Sequence, residues 1–328
     1  MRHGVVMMDL EGKTLSAEEH TLIRHPSVGG IILFSRNYED VEQLKKLVHD
    51  IRAATAHKPF LLAVDHEGGR VWRFKEGFTR LGPARDYGRQ YDQDPAHALN
   101  VAEQAGRVMA QELLACGIDL SLAPILDLDS GISAVIGDRA FHEDPHKVVL
   151  LARAFIEGMG VAGMKATGKH FPGHGGCALD SHIEKPRDDR TLEVLWNHDL
   201  VPFRALHQDL GAMMPAHVIY GAVDTMPAGF SSQWLQAILR EKIGFEGAII
   251  SDCLSMKGAA IGESTGQVAL DLCRTGEKAL DAGCDLLIVC QQSRTVLSEF
   301  LNHLNKTADA VSTERLKRLA GHFKKPSV

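Results

Sequence analysis

Asp180, Ser181 and His182 close the stretch GKHFPGHGGCALDSHIE (168–184), placing a carboxylate two residues from an imidazole. On a loop, that spacing lets the carboxylate orient the ring and hold a proton on one nitrogen while the other faces a reactant. An imidazole titrating near neutrality can protonate a leaving oxygen and later take a proton from water. Such a pair needs a reacting group opposite it, and the apolar run GAIISDC (247–253) carries Asp252 near its end. Lys169, His170 and His174 share the first stretch, whose four glycines and proline suit neither a helix nor a central strand.

Other polar residues follow a related pattern. FLLAVD (60–65) ends in Asp65 and runs into HEGGRVWRF, with Glu67, Arg70 and Arg73; PILDLDSG leads on to IGDRAF, with Asp138 and Arg139; His217 follows GAMMPA. Each has a purely structural reading taken singly: Asp252 as a helix cap, Asp138 and Arg139 as an ion pair, Arg73 as a solvated cation, His217 as a hydrogen-bonded core histidine, His174 as a brace for its own loop. Charges at five successive strand ends are not a packing pattern, and together they point to a pocket. Two chemistries remain open from the residues alone. Asp65, His170, His182, His217 and Asp252 can ligate zinc, although Lys169 and two arginines would repel a cation and no HExxH is present. Alternatively, Asp252 as an ionised nucleophile and Asp180–His182 as a separate proton donor suit cleavage of a glycosidic bond.

Eight apolar runs position these groups: 4–10, 28–34, 60–65, 118–126, 163–170, 211–218, 247–253 and 285–289. Most are nearly continuous in apolar or small residues, as in a parallel sheet covered by helices. Asp94–Pro95 and Asp144–Pro145 each offer a capping carboxylate before a first-turn proline, Ser231 or Ser232 can cap QWLQAILREKI, and Gly244 and Gly283 close two helical patterns. Strand and helix alternate without a Pro-, Gly- or Ser-rich linker, so the expected fold is α/β, a single (β/α)₈ TIM-barrel domain over 1–328, with chemistry at the carboxyl ends of its strands. A doubly wound sheet is the alternative, but GxGxxG and Walker A sequences are absent.

The 328 residues are 45% hydrophobic and 24% charged with a formal net charge of −6, which disfavours a nucleic-acid backbone as the main partner. No apolar run approaches the roughly 20 residues that cross a bilayer, the first residues lack a secretory pattern, and six cysteines show no CxxC spacing. A cytoplasmic monomer without stable membrane association is the expectation. Cys116, Cys284 and Cys290 read as small core residues.

KHFPGHG followed by DSH, with DHEGGRVWRF and SDCLSM, resembles the single-domain bacterial β-N-acetylhexosaminidases of glycoside hydrolase family 3, and the resemblance extends from GVVMMDLEG to AGCDLLIVC. It implies a retaining exo-hydrolase of barrel fold, without cofactor or resident metal. The implied substrate is GlcNAc-1,6-anhydroMurNAc, with or without peptide, from peptidoglycan recycling. On that resemblance Asp252 is the nucleophile, His182 the acid/base and Asp180 its orienting partner. Asp65, Arg73, Arg139, Lys169 and His170 hold the sugar. Some relatives pass the glycosyl group to phosphate instead, so a phosphorylase stays open beside the hydrolase. This chain departs from the common SDDLSM pattern by placing Cys253 after Asp252, and Cys177 stands near the acid/base as an expected spectator. Glycines 173, 175 and 176 suggest a loop that brings His182 in only when substrate is bound.

Overall fold

A computed structural model describes residues 1–177 and 186–320, so Asp180, His182 and the expected loop movement lie outside the described residues. Eight parallel strands form the barrel: β1 (Val6–Asp9), β2 (Val28–Leu33), β3 (Leu61–Val64), β4 (Leu120–Ser121), β5 (Thr167–Phe171), β6 (Ala212–Pro215), β7 (Ala248–Cys253) and β8 (Leu286–Val289). Their hydrogen-bonded order is β4-β3-β2-β1-β8-β7-β6-β5. The open seam is closed by a parallel bridge between Ile125 and Lys169, by Leu126 N–H to the Lys169 carbonyl (2.7 Å) and by Thr167 N–H to the Ala123 carbonyl (2.8 Å). Closure excludes the doubly wound alternative.

Each expected run overlaps a strand, and the differences have local reasons. The run 163–170 starts too early, because Gly163 (φ 96°) ends the helix Pro145–Ala162 in the left-handed region that glycine adopts readily. The run 118–126 keeps only two ladder residues, since Pro124 has no N–H to donate. Residues of β1, β2, β3, β6 and β8 are buried throughout, as strands covered on both faces must be. A separate two-stranded parallel sheet, Arg187–Asp188 with Ile219–Tyr220, has no signal in the apolar pattern.

The helix caps match their sequence signals. Asp94 accepts from His97 N–H above Pro95, and Asp144 accepts from His146 N–H above Pro145. Of the two candidate serines, Ser231 accepts from Trp234 N–H, and the π-wound helix Gln233–Ile243 ends on Gly244 (φ 85°). The helices Pro95–Ala115 and Pro145–Ala162 touch backbone to backbone. A Cβ on Gly106 would stand 2.1 Å from the Phe155 carbonyl oxygen, and one on Gly158 1.9 Å from that of Glu103.

At the amino ends of the strands, two buried aspartates act alike. Asp119, just before β4, accepts from Leu62 N–H of β3 (2.7 Å) and from Arg52 (2.6 Å). Asp285, just before β8, accepts from Ile249 N–H of β7 (2.8 Å) and from Arg240 (3.0 Å). In both cases a helix arginine and a neighbouring strand's first amides share one carboxylate, which pins helix and strand together at the lower rim.

Candidate active site

The carboxyl ends of the strands open into a cavity of about 600 Å³, lined by Asp65, Arg73, Arg139, Lys169, His170, His174, Asp252 and Cys253, with Phe34, Met256 and Gln291 among its apolar and neutral walls. All six described site residues expected from the sequence, Asp65, Arg73, Arg139, Lys169, His170 and Asp252, therefore face one space. They reach it from the ends of β3, β5 and β7 and from the connection after β4.

Lys169 projects from β5 and is almost fully buried, so its charge requires partners. Its Nζ lies 2.6 Å from Asp65 Oδ1 and 2.6 Å from Glu67 Oε1. Burial alone would lower the Lys169 pKa, but Asp65 and Glu67 outweigh it and hold the amine protonated. Glu67 is also gripped by Arg139 through two parallel bonds, Nη2 to Oε1 (2.8 Å) and Nε to Oε2 (3.0 Å). Burial pushes the Glu67 carboxyl up, and Arg139 and Lys169 overcome it to bring the group well below the usual carboxylate range. Arg73 stands 4.0 Å from the other Asp65 oxygen. The result is an ordered mesh of three cations and two anions along one wall.

Arg139 does not pair with Asp138 as its structural reading held: Asp138 meets Arg70 at 3.2 Å. The reason is reach, since Arg139 turns inward to the buried Glu67 while Asp138 stays half-exposed. Glu67, within HEGGR, takes no role from the sequence pattern. Its signal is a carboxylate between a strand end and two glycines, beside an arginine-rich segment.

A second buried unit supports His170. Asp127 accepts from His170 Nδ1 (2.6 Å), from His170 N–H (3.1 Å) and from His174 N–H (2.7 Å). Burial would raise the Asp127 pKa, but His170, through its charge and hydrogen bond, and then His174 lower it overall. With Nδ1 committed to Asp127, His170 has Nε2 left for the cavity. The segment from Phe171 to Cys177 is braced further by Tyr220 Oη donating to the Gly173 carbonyl (2.6 Å) and by Ser130 Oγ donating to that of Gly175. Arg190 bridges Asp188 (2.6 Å) and Asp199 (2.8 Å). Asp127 lies in the quoted PILDLDSG, where its burial could not be read from composition.

On β7, Asp252 Oδ1 accepts from the Cys253 N–H (2.7 Å). Behind it His217 is buried, stacked on Phe230 with centroids 5.2 Å apart, and donates from Nε2 to the Cys253 carbonyl (3.2 Å). Its pKa is lowered, chiefly by burial and against the pull of Asp252. His217 is thus the hydrogen-bonded core histidine of its structural reading. Of the zinc set weighed from sequence, His182 lies outside the described residues; Asp65 is engaged by Lys169, His170 by Asp127 and His217 by a carbonyl, and among the described residues no group of three or more side chains is placed to hold a metal ion. Cys177 is buried, and burial raises its thiol to about 12, which suits a spectator.

A barrel carrying this cavity matches one known family along almost its whole length. Residues 4–321 match the glycosyl hydrolase family 3 N-terminal domain, and the chain belongs to that family of glycoside-cleaving enzymes. It sorts with relatives named β-hexosaminidase: that of Alkalilimnicola ehrlichii is 52% identical over 319 residues, 97% of this chain and 89% of the relative, and that of Bordetella pertussis is 47% identical over 325 residues, 98% and 90%. Among solved structures, NagZ from Neisseria gonorrhoeae in complex with N-trifluoroacetyl-D-glucosamine superposes with a TM-score of 0.90 at 44% identity, over 98% of this chain and 91% of that one. A family 3 β-N-acetylglucosaminidase from a Paenibacillus species gives 0.86 at 31% identity, over 96% of this chain and 60% of that one.

Proposed function

We propose that this glycosidase is a retaining exo-β-N-acetylglucosaminidase that removes non-reducing terminal GlcNAc from GlcNAc-1,6-anhydroMurNAc, with or without its peptide, in peptidoglycan recycling. The observation that carries the reading is the meeting of Asp252 with the Lys169–Asp65–Glu67–Arg139 mesh in one cavity. In this mechanism Asp252 attacks the anomeric carbon as His182, oriented by Asp180, protonates the departing glycosidic oxygen. The glycosyl-enzyme is then opened by water, which gives its proton back to His182, so the anomeric configuration is retained. Asp65, Arg73, Arg139, Lys169 and His170 hold the sugar's hydroxyls and N-acetyl group. Their fixed charges need no reorganisation as oxocarbenium character develops, which is where preorganised polar groups contribute most. All six cysteines are free thiols, in keeping with a reducing cytoplasm, and no helix of the described residues is long and apolar enough to cross a membrane.

Release of p-nitrophenol from its β-GlcNAc glycoside tests the reading. Asp252→Ala should lower kcat by at least about 10³-fold, as loss of a covalent nucleophile does. His182→Ala should cost on the order of 10²- to 10⁴-fold, the share of general acid–base catalysis. A chelator should leave the rate unchanged, and an added-phosphate requirement would instead indicate the phosphorylase. An inactive wild type on this substrate and on the anhydromuropeptide would overturn the proposal.

A further inference from the structure

Gln291 stands two residues past the end of β8, and its backbone is left-handed at φ 59°. Among the described residues one other non-glycine residue has a positive φ, Asn305 at 33°, and local structure accounts for it. Asn305 ends the helix Arg294–Leu304, where its N–H donates to the Leu301 carbonyl as a left-handed cap does. Gln291 ends no helix. A left-handed residue with a side chain is strained, and such strain persists where the surroundings over-determine it. Here the determinant is buried Asp9 at the end of β1, the strand beside β8. Asp9 Oδ2 accepts the Gln291 N–H (2.7 Å) and Arg36, and Oδ1 accepts Arg294 (3.0 Å), which also donates to the Asp9 carbonyl (2.7 Å). The side chains show what the bend does. Ile288 and Cys290 line the cavity, as residues two apart on a strand do, and alternation would turn Gln291 to the opposite face. With φ reversed, Gln291 lines the cavity as well. It is exposed, whereas Lys169, Glu67 and Arg139 are largely enclosed, so Gln291 stands nearer the mouth and the charged mesh nearer the floor.

We infer that Gln291 is a specificity-determining residue for the leaving group: its carboxamide hydrogen-bonds a saccharide aglycone, and the left-handed backbone aims it there. The inference rests on the glycosidase reading above. In an enzyme that removes a terminal sugar, that sugar occupies the depth of the pocket and the rest of the substrate emerges through the mouth. The charged mesh therefore grips the sugar being released, and a group at the mouth meets what leaves. A carboxamide supplies two N–H donors and a carbonyl acceptor, which can pair with the hydroxyl and acetamido groups of a second sugar. A nitrophenyl ring has no donor to return to that carbonyl. Held by Asp9, the amide starts from a backbone that has no freedom left to lose on binding, which is the advantage of preorganisation.

The full chain, Gln291→Met and Gln291→Gly would be assayed on N,N′-diacetylchitobiose and on p-nitrophenyl-β-GlcNAc, with thermal unfolding of each protein. Methionine keeps the length and the backbone strain but lacks the amide, whereas glycine removes both amide and strain. In both variants kcat/KM on chitobiose, relative to that on the nitrophenyl glycoside, should fall roughly five- to tenfold, the share of one hydrogen bond. Gln291→Gly should melt at or above the wild-type temperature, because glycine adopts the left-handed backbone without strain. An unchanged ratio in both variants overturns the contact with the leaving group. A fall confined to Gln291→Gly also overturns it, since the amide would then be dispensable and backbone freedom the cause. A glycine variant that melts well below wild type overturns the strain and makes the side chain structural. A wild type that turned over neither glycoside would count against the glycosidase reading instead. Calorimetric titration of chitobiose into wild type and Gln291→Met would then decide the contact, with weaker binding by the variant expected and equal binding overturning it.

Discussion

Glu67 receives Arg139 through both of its oxygens and Lys169 through one, all with little solvent to compensate a loss. Replacing it by Gln removes the anion that the two cations share, leaving Lys169 with Asp65 and Arg139 without its forked partner. A buried charge left short of its partner typically costs about 3–5 kcal/mol, and Glu67→Gln should destabilise the fold by that order in urea titration. The surviving folded enzyme should bind substrate more weakly, since Arg139 loses the fork that aims it; a rise in KM on the p-nitrophenyl glycoside checks this. His217 makes a prediction of opposite character. Its folded pKa lies below the unfolded value of about 6.5, so the neutral ring's contribution is fully present above that pH and is lost as pH falls through the folded pKa. His217→Gln should therefore flatten the fall of unfolding free energy as pH drops below about 6.5, as read from denaturant titrations on either side of that pH.

At the scale of elements, the strands and capped helices are legible in the sequence because apolar runs, Asp–Pro starts and terminal glycines report local physics. Ladder lengths are less so: Pro124 and Gly163 trimmed two runs through hydrogen-bonding and backbone rules that act within the assembled barrel. The candidate site divides the same way. Asp65, Lys169 and Asp252 sit where strand ends point, and that placement follows from alternating strand and helix. Glu67 and Asp127 take their importance from burial and from partners 72 and 43 residues away, distances that a pattern in the chain does not encode. Helix packing shows the same dependence on distant partners. Gly106 and Gly158 each admit a neighbouring carbonyl where a methyl would overlap it. Gly158→Ala should cost about 1–3 kcal/mol by overpacking, visible as a lowered urea midpoint, despite the better helix propensity of alanine.

Across the whole molecule, the chemistry and the fastening occupy opposite ends of the barrel. Asp119 and Asp285 hold neighbouring strands and helix arginines at the lower rim, far along each strand from the cavity. Asp285 also receives Ser312 Oγ (2.6 Å) from the helix Ala310–Lys317, which ties that last described helix to the same point. Asp285→Ala should lower stability by about 3 kcal/mol or more, because Arg240 and the Ile249 amide lose their common acceptor. Thermal unfolding would register the loss, and KM measured well below the transition should stay at the wild-type value.

The paired lower-rim aspartates bear on how such a protein can change. Phe34, Met256 and Gln291 line the cavity and take no part in that fastening, so changes there reshape the cavity without releasing the lower rim.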